Sequence, residues 1–299
     1  MARDGGGPEC GGETVTPVCR RIACTLAMAA CCSLAAAQAP RLVAVGGTVT
    51  EIVYALGVER FLVATDTTSI FPEAAHALPK VGYQRQLSGE GVLALKPTLL
   101  IGTGDAGPPA AIAQIKAGKV GVHILSADHT VESARNSIRN VASLLDVTEQ
   151  GRTLEERFNT EWQRTETLIK KYSRKPRVLF ILGHSPNSTM IAGRDTSADA
   201  MIRLAGGVNA LAATSGYKPL TAEAAVAAAP DVILITSQGL NVAGGDAALW
   251  GKPGLALTPA AKQKKLVHLD ALYLLGFGPR LPQAVRDLAL KLHEGVPPS

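Results

Sequence analysis

The chain repeats itself, and this limits its fold more than any other feature does. In the first half, Gly82-Tyr83 leads to Leu87-Ser88-Gly89-Glu90, then to Leu95-Lys96-Pro97 and a short apolar run. In the second, Gly216-Tyr217 leads to Leu220-Thr221-Ala222-Glu223, then to Ala228-Ala229-Pro230 and another such run. Glutamate and proline are seven residues apart in both copies. An upstream unit also recurs. The run Leu42–Val45 precedes Thr48…Glu51 and a helical pattern ending at Gly57. The run Val178–Leu182 precedes, after a hairpin-like stretch, Thr196…Asp199 and a pattern ending at Gly206-Gly207. Both units read as capping boxes that open helices stopped by glycine. Two matches in the same order argue for two pseudo-symmetric lobes.

The strand candidates are Leu42–Val45, Leu62–Thr65, Thr98–Ile101, Val122–Leu125, Val178–Leu182, Val232–Thr236 and Leu266–Leu269. Each is apolar on both parities, as strands buried on both faces of a parallel α/β sheet are. Between the repeats, Thr148 to Tyr172 reads as one long helix, with Leu154, Phe158, Trp162, Thr165, Ile169 and Tyr172 on one face. Such a helix reaches roughly 38 Å, enough to span two lobes. The fold class expected is therefore α/β: two lobes with parallel sheets, joined by one bridging helix. The boundaries expected are 38–147 for the first lobe, 148–174 for the bridge and 175–299 for the second lobe.

All five cysteines (Cys10, Cys19, Cys24, Cys31, Cys32) precede this body. The body therefore has no disulfide framework, thiolate metal site or cysteine nucleophile. Arg20-Arg21, the apolar stretch from Ile22 and the small residues Ala35 and Ala37 make a secretory signal peptide over residues 1–37, with Gln38 first in the mature chain. Asp4, Glu9 and Glu13 are foreign to such a segment, which puts the expected translation start at Val15 or Val18. Met28-Ala29-Ala30-Cys31 fits a lipobox poorly, so a free periplasmic protein is expected ahead of a lipid-anchored one. The net charge of +5 shows no stripe suited to nucleic acid.

Enzyme motifs are mostly missing. There is no G-x-G-x-x-G opening a helix and no P-loop. Gly183-His184-Ser185-Pro186-Asn187 follows a strand, but a nucleophile elbow needs glycine where Asn187 stands. A secreted serine hydrolase using Ser185 is kept as the rival reading from another class. None of the six histidines forms a chelating pair, and His184 stands out because it lies past the end of a strand, where α/β sheets bind ligands. Tyr83 is the leading candidate, in the polar loop Lys80-Val81-Gly82-Tyr83-Gln84-Arg85-Gln86. Tyr217 is its counterpart in the second repeat, so both are expected to face a cleft between the lobes. Glu90 and Glu223 each open a helix, where a carboxylate suits the helix dipole. One per lobe, they would also present two anions to a basic two-fold partner.

At these residues the sequence resembles the periplasmic haem-binding proteins of bacterial haem ABC importers, in the class that also binds vitamin B12 and ferric siderophores. The likeness runs from Arg41 to Val296 and is most specific at Val81-Gly82-Tyr83-Gln84-Arg85-Gln86-Leu87-Ser88 and Leu274-Leu275-Gly276-Phe277-Gly278-Pro279-Arg280. Ser197-Ala198-Asp199-Ala200-Met201-Ile202 and Tyr217-Lys218-Pro219-Leu220 are similar too. The resemblance implies a cleft that holds ferric haem, with Tyr83 as iron ligand. A phenolate oxygen is a hard anionic donor suited to ferric iron. Arg85, Lys80 and Tyr217 would support that ligand or pair with a propionate. His184 would ligate a second, stacked haem. Glu90 and Glu223 would dock a monomeric carrier onto an inner-membrane permease with its ATPase. The same-fold alternative is a ferric siderophore or corrinoid (vitamin B12) binding protein.

Overall fold

The computed structural model describes residues 6–7, 39–185 and 188–294; the expected export segment 1–37 and its cysteines lie outside the described residues, apart from Gly6 and Gly7. Two sheets build the unit that begins at Pro40. The first is wholly parallel: β1 (Leu42–Val45), β2 (Leu62–Thr65), β3 (Leu99–Gly102) and β4 (Gly121–Ile124), in spatial order β2-β1-β3-β4. Leu42 pairs with Leu99 and Val45 with Gly102, so β1 runs in step with β3. Every residue of β1 is buried, as its uninterrupted apolar run requires. β3 and β4 are each displaced by one residue from the expected bounds. Thr98 flanks β3, where its hydroxyl accepts the Arg41 N–H at 2.9 Å and its carbonyl accepts the Gly121 N–H at 3.0 Å.

The second sheet contains β5 (Arg177–Ser185), β6 (Ser188–Ala192), β7 (Val208–Asn209), β8 (Tyr217–Pro219), β9 (Val232–Thr236) and β10 (Leu266–Leu269). Their order is β10-β9-β5-β6-β8, with β7 also pairing β5. The parallel body of this sheet is as expected, and the hairpin-like stretch adds to it. β10, β9, β5 and β7 are parallel, but β6 and β8 extend the sheet antiparallel. The hairpin also removes the hydrolase alternative. Ser185 pairs with Ser188 across two antiparallel strands, so the chain turns into a strand where an elbow needs a helix.

The repeat is visible in the local geometry. The Ser88 hydroxyl accepts the Gly91 N–H at 3.1 Å, capping the helix Gly89–Ala94, and the Thr221 hydroxyl accepts the Ala224 N–H at 3.1 Å, capping Ala222–Ala228. Lys96 (φ 49) and Ala229 (φ 41) are both left-handed, each directly before its proline. A residue before proline is disfavoured in the helical region, so each helix stops two or three residues before its proline.

The upstream match holds only in part. Thr196 caps Ser197–Leu204 as expected, accepting the Asp199 N–H at 3.1 Å. Thr48 and Glu51 do not form a capping box, because Gly46 is the N-cap of Gly47–Ala55. Both side chains reach the other lobe instead. Thr48 donates to the Gly276 carbonyl at 2.5 Å, and Glu51 takes a two-point ion pair from Arg280, including Nε to Oε2 at 3.0 Å. The Arg280 guanidinium also lies 3.6 Å from the Phe71 ring centroid and 4.9 Å from that of Tyr273. Burial pushes the Glu51 carboxyl up, and Arg280 pulls it back. A Cβ on Gly47 would fall 2.5 Å from the Thr68 carbonyl oxygen and 2.7 Å from the Leu272 methyls of the other lobe, so this crowded start of the helix calls for glycine.

The long helix runs from Thr148 to Ile169 and buries Gly151, Leu154, Phe158 and Thr165. It ends before Tyr172, which instead stacks on His293 with ring centroids 4.1 Å apart. The helix packs on Val131–Leu144 of the first lobe and Leu281–Leu292 of the second. Thr165 donates to the Pro282 carbonyl at 3.0 Å. One apolar cluster continues from Leu42 and Ile52 through Leu154 and Phe158 to Val285 and Leu288. The lobes therefore share a core.

Glu51 is 5% exposed at its side chain, so Arg280→Met strands a buried carboxylate. We expect a loss on the order of 3 kcal/mol in chemical denaturation, much of it recovered when Glu51→Gln is added.

Candidate functional site

The site grows from two loops locked together by main-chain bonds. After β2, Thr65 accepts from the Val81 N–H and the Gly82 carbonyl accepts from the Thr67 N–H, both at 2.9 Å. The Gln86 N–H to Tyr83 carbonyl bond at 2.8 Å then closes a turn. After β3, the Gly107 N–H donates to the Gln84 carbonyl at 2.9 Å, and the Gly107 carbonyl accepts the Leu87 N–H at 2.8 Å. The Thr103 hydroxyl adds a bond to Gln84 Oε1 at 2.9 Å. Gly46 makes room for this contact, since a Cβ there would lie 2.6 Å from Thr103 Cγ2.

This frame presents Tyr83 as an exposed residue, 37% accessible. Arg85 Nη1 donates to the Tyr83 hydroxyl oxygen at 3.1 Å, and Arg85 Nη2 binds Asp105 Oδ2 at 2.8 Å. Desolvation works against the Arg85 charge, but Asp105 and Tyr83 outweigh it and hold the guanidinium above its ordinary value. Tyr217, on β8 of the second lobe, feels both charges. Burial raises its phenol, while the Ser197 hydroxyl and Arg85 favour ionisation. His129 packs at 5.3 Å against Phe277, whose backbone is held at φ 52. Burial lowers the His129 imidazole, opposed by Asp105 and Asp128. The structure thus brings Tyr83, Arg85, Asp105 and His129 of the first lobe towards Tyr217 and Phe277 of the second.

The other expected residues fall differently. Lys80 is corrected as a propionate partner. Its ammonium has three donors and gives them to Thr65 Oγ1 (2.8 Å), the Ser69 carbonyl (3.2 Å) and the Ala75 carbonyl (2.9 Å). His184 lies on β5, but its side chain is outside the described residues, and the same holds for Ser185. Glu90 and Glu223 are exposed, each in the first turn of its helix. Hydrogen bonds from its own N–H and from Thr221 hold the Glu223 carboxyl below the usual carboxylate range. Asp105, His129 and Phe277 were not singled out by the sequence. The signal for Asp105 was its place just past the carboxyl end of β3, and Phe277 stood inside a motif already quoted.

Among the described residues no three His, Cys, Asp or Glu side chains cluster to hold a bare metal ion. No described helix is long and apolar enough to cross a membrane. A family model for periplasmic binding proteins matches residues 42–273. The chain belongs to that family. Among solved members, the periplasmic heme-binding protein BhuT, in complex with two hemes, is 47% identical. It aligns over 85% of this chain and 97% of its own, with a TM-score of 0.81. The periplasmic heme-binding protein RhuT from Roseiflexus sp. RS-1, in apo form, is 40% identical over 86% of this chain and 98% of its own, with a TM-score of 0.83. The vitamin B12-binding protein of Vibrio vulnificus (strain CMCP6) is 27% identical over 260 residues, covering 86% of this chain and 91% of its own. The family is one of substrate-binding proteins.

His129 offers a test of the cleft's electrostatics. Because its folded value lies below the ordinary 6.5, acid must charge it against the fold, and stability is lost as pH falls below about 6.5. Thermal melts of His129→Gln should show a shallower decline over that range than the unmodified protein.

Proposed function

We propose that this periplasmic binding protein captures ferric haem in the cleft between its lobes and hands it to an inner-membrane ABC permease with its ATPase. It performs no chemistry on the ligand. One observation carries the reading: an exposed tyrosine hydroxyl, fixed by a rigid loop, with a guanidinium 3.1 Å from its oxygen. Binding ferric iron requires the phenol to lose its proton, and an adjacent cation and the metal both favour that loss. A corrinoid or ferric siderophore brings its own metal ligands and would leave the Tyr83–Arg85 pair without a purpose.

In this reading Tyr83 ligates the iron, Arg85 stabilises the phenolate, and Tyr217 closes the site from the second lobe. The two-heme complex of the relative BhuT supports a second haem here, and His184 is the ligand we assign to it. The carrier works as a monomer, exported by residues 1–37, and docks through Glu90 and Glu223.

Titration of the mature protein with ferric haem should give a tyrosinate charge-transfer band that Tyr83→Phe abolishes. A variant spectrum identical to the original would remove Tyr83 as ligand. Two haems per chain, reduced to one in His184→Ala, are expected from the same titration. For docking, Glu90→Lys with Glu223→Lys should abolish uptake in a reconstituted importer while leaving haem affinity unchanged. Retained uptake would sink the docking assignment.

A further inference from the structure

Arg85 could serve the cleft in two ways, by supporting the Tyr83 oxygen or by pairing with a haem propionate, and the geometry separates them. Its fork is shared: Nη1 on the Tyr83 hydroxyl oxygen at 3.1 Å, Nη2 on Asp105 Oδ2 at 2.8 Å. Both ends of this arrangement are set by main chain. Tyr83 and Arg85 belong to the turn closed by Gln86, and Asp105 to the turn closed by the Ala106 N–H to Thr103 carbonyl bond at 2.9 Å. The Gly107 bonds to Gln84 and Leu87 zip the two turns together.

The pair adds little to the fold. The Arg85 and Asp105 side chains are 54% and 46% exposed, and ion pairs so open to water contribute little to stability. What a two-pronged guanidinium contact supplies here is direction. A carboxylate beside the guanidinium also repels any second carboxylate seeking the same cation.

We propose that Asp105 is a positioning residue for the Tyr83 ligand, committing Arg85 to the phenolic oxygen and turning propionates away from it. The inference rests on Tyr83 being the haem ligand, as proposed above. It predicts that Arg85 is indifferent to whether the porphyrin carries free propionates. It also predicts that Asp105 acts only through Arg85.

Both are read from one set of full-length proteins: unmodified, Asp105→Asn, Asp105→Ala, Asp105→Glu, Arg85→Ala and the Arg85→Ala/Asp105→Ala double variant. Each is loaded with ferric haem or its dimethyl ester, and dissociation is followed by transfer to a haem scavenger. Asp105→Asn and Asp105→Ala should weaken the tyrosinate band and release haem roughly three- to tenfold faster, with apo melting temperatures unchanged. Asp105→Glu should restore both readouts. The double variant should release haem no faster than Arg85→Ala, whose defect should be the same size for haem and for the ester. Asparagine and alanine variants that match the original overturn the inference, as does an additive double variant. An Arg85→Ala defect larger for haem than for the ester also overturns it, since Arg85 then pairs a propionate. If the original protein lacks the tyrosinate band, or Tyr83→Phe keeps it, the ligand assignment itself fails and Asp105 falls with it.

Discussion

The two-point ion pair between Arg280 and Glu51 is what the rest of the molecule is arranged around. The buried Glu51 carboxylate is tolerable only with a close partner, and the half-buried Arg280 that supplies it is itself held between the Phe71 and Tyr273 rings. Tyr273 in turn donates its hydroxyl to Asp287 at 2.8 Å, on the last helix. That helix packs on the bridging helix, where Thr165 meets Pro282. A closed ring of contacts results, passing from the first lobe through Arg280 and the last helix to the bridge and back. Phe277 stands three residues before Arg280 on this ring, so its place against His129 follows from it.

Above that base the cleft needs few polar groups, because the backbone does the positioning. The Tyr83 turn and the Asp105 turn follow different strands of one parallel sheet, and the register of β1 with β3 keeps the carboxyl ends of the sheet level. Loops at that edge of a parallel sheet can converge on a common ligand. Here the convergence is made stiff by main-chain bonds, so Tyr83 reaches its orientation without help from a ligand.

How much of this the sequence discloses depends on whether the deciding contact is local. The repeated helix starts at Ser88 and Thr221, and the stops before Pro97 and Pro230, depend on neighbours a few residues away and are legible in the chain. Thr48 and Glu51 look like a capping box for the same reason, yet their partners lie more than two hundred residues away, and the distant partners prevail. Lys80 reads as a cleft cation until its three carbonyl and hydroxyl acceptors are seen around it. The β5–β6 hairpin is only a hairpin-like stretch in the sequence, since nothing local says that β8 will extend it. Asp105 was missed because a lone aspartate in a glycine-containing loop is ordinary until Arg85 is found beside it.

The shared core has a consequence for unloading. In a protein whose halves are joined by a flexible hinge, thermal opening can release the ligand at no cost to the recipient. Here the halves hold one continuous apolar cluster and a buried ion pair in common, so spreading them means tearing packed surface apart. A cargo seated in this cleft is therefore retained by the stiffness of its container as well as by its own bonds. Emptying it by spreading the lobes would cost that packed apolar contact together with the Arg280–Glu51 pair.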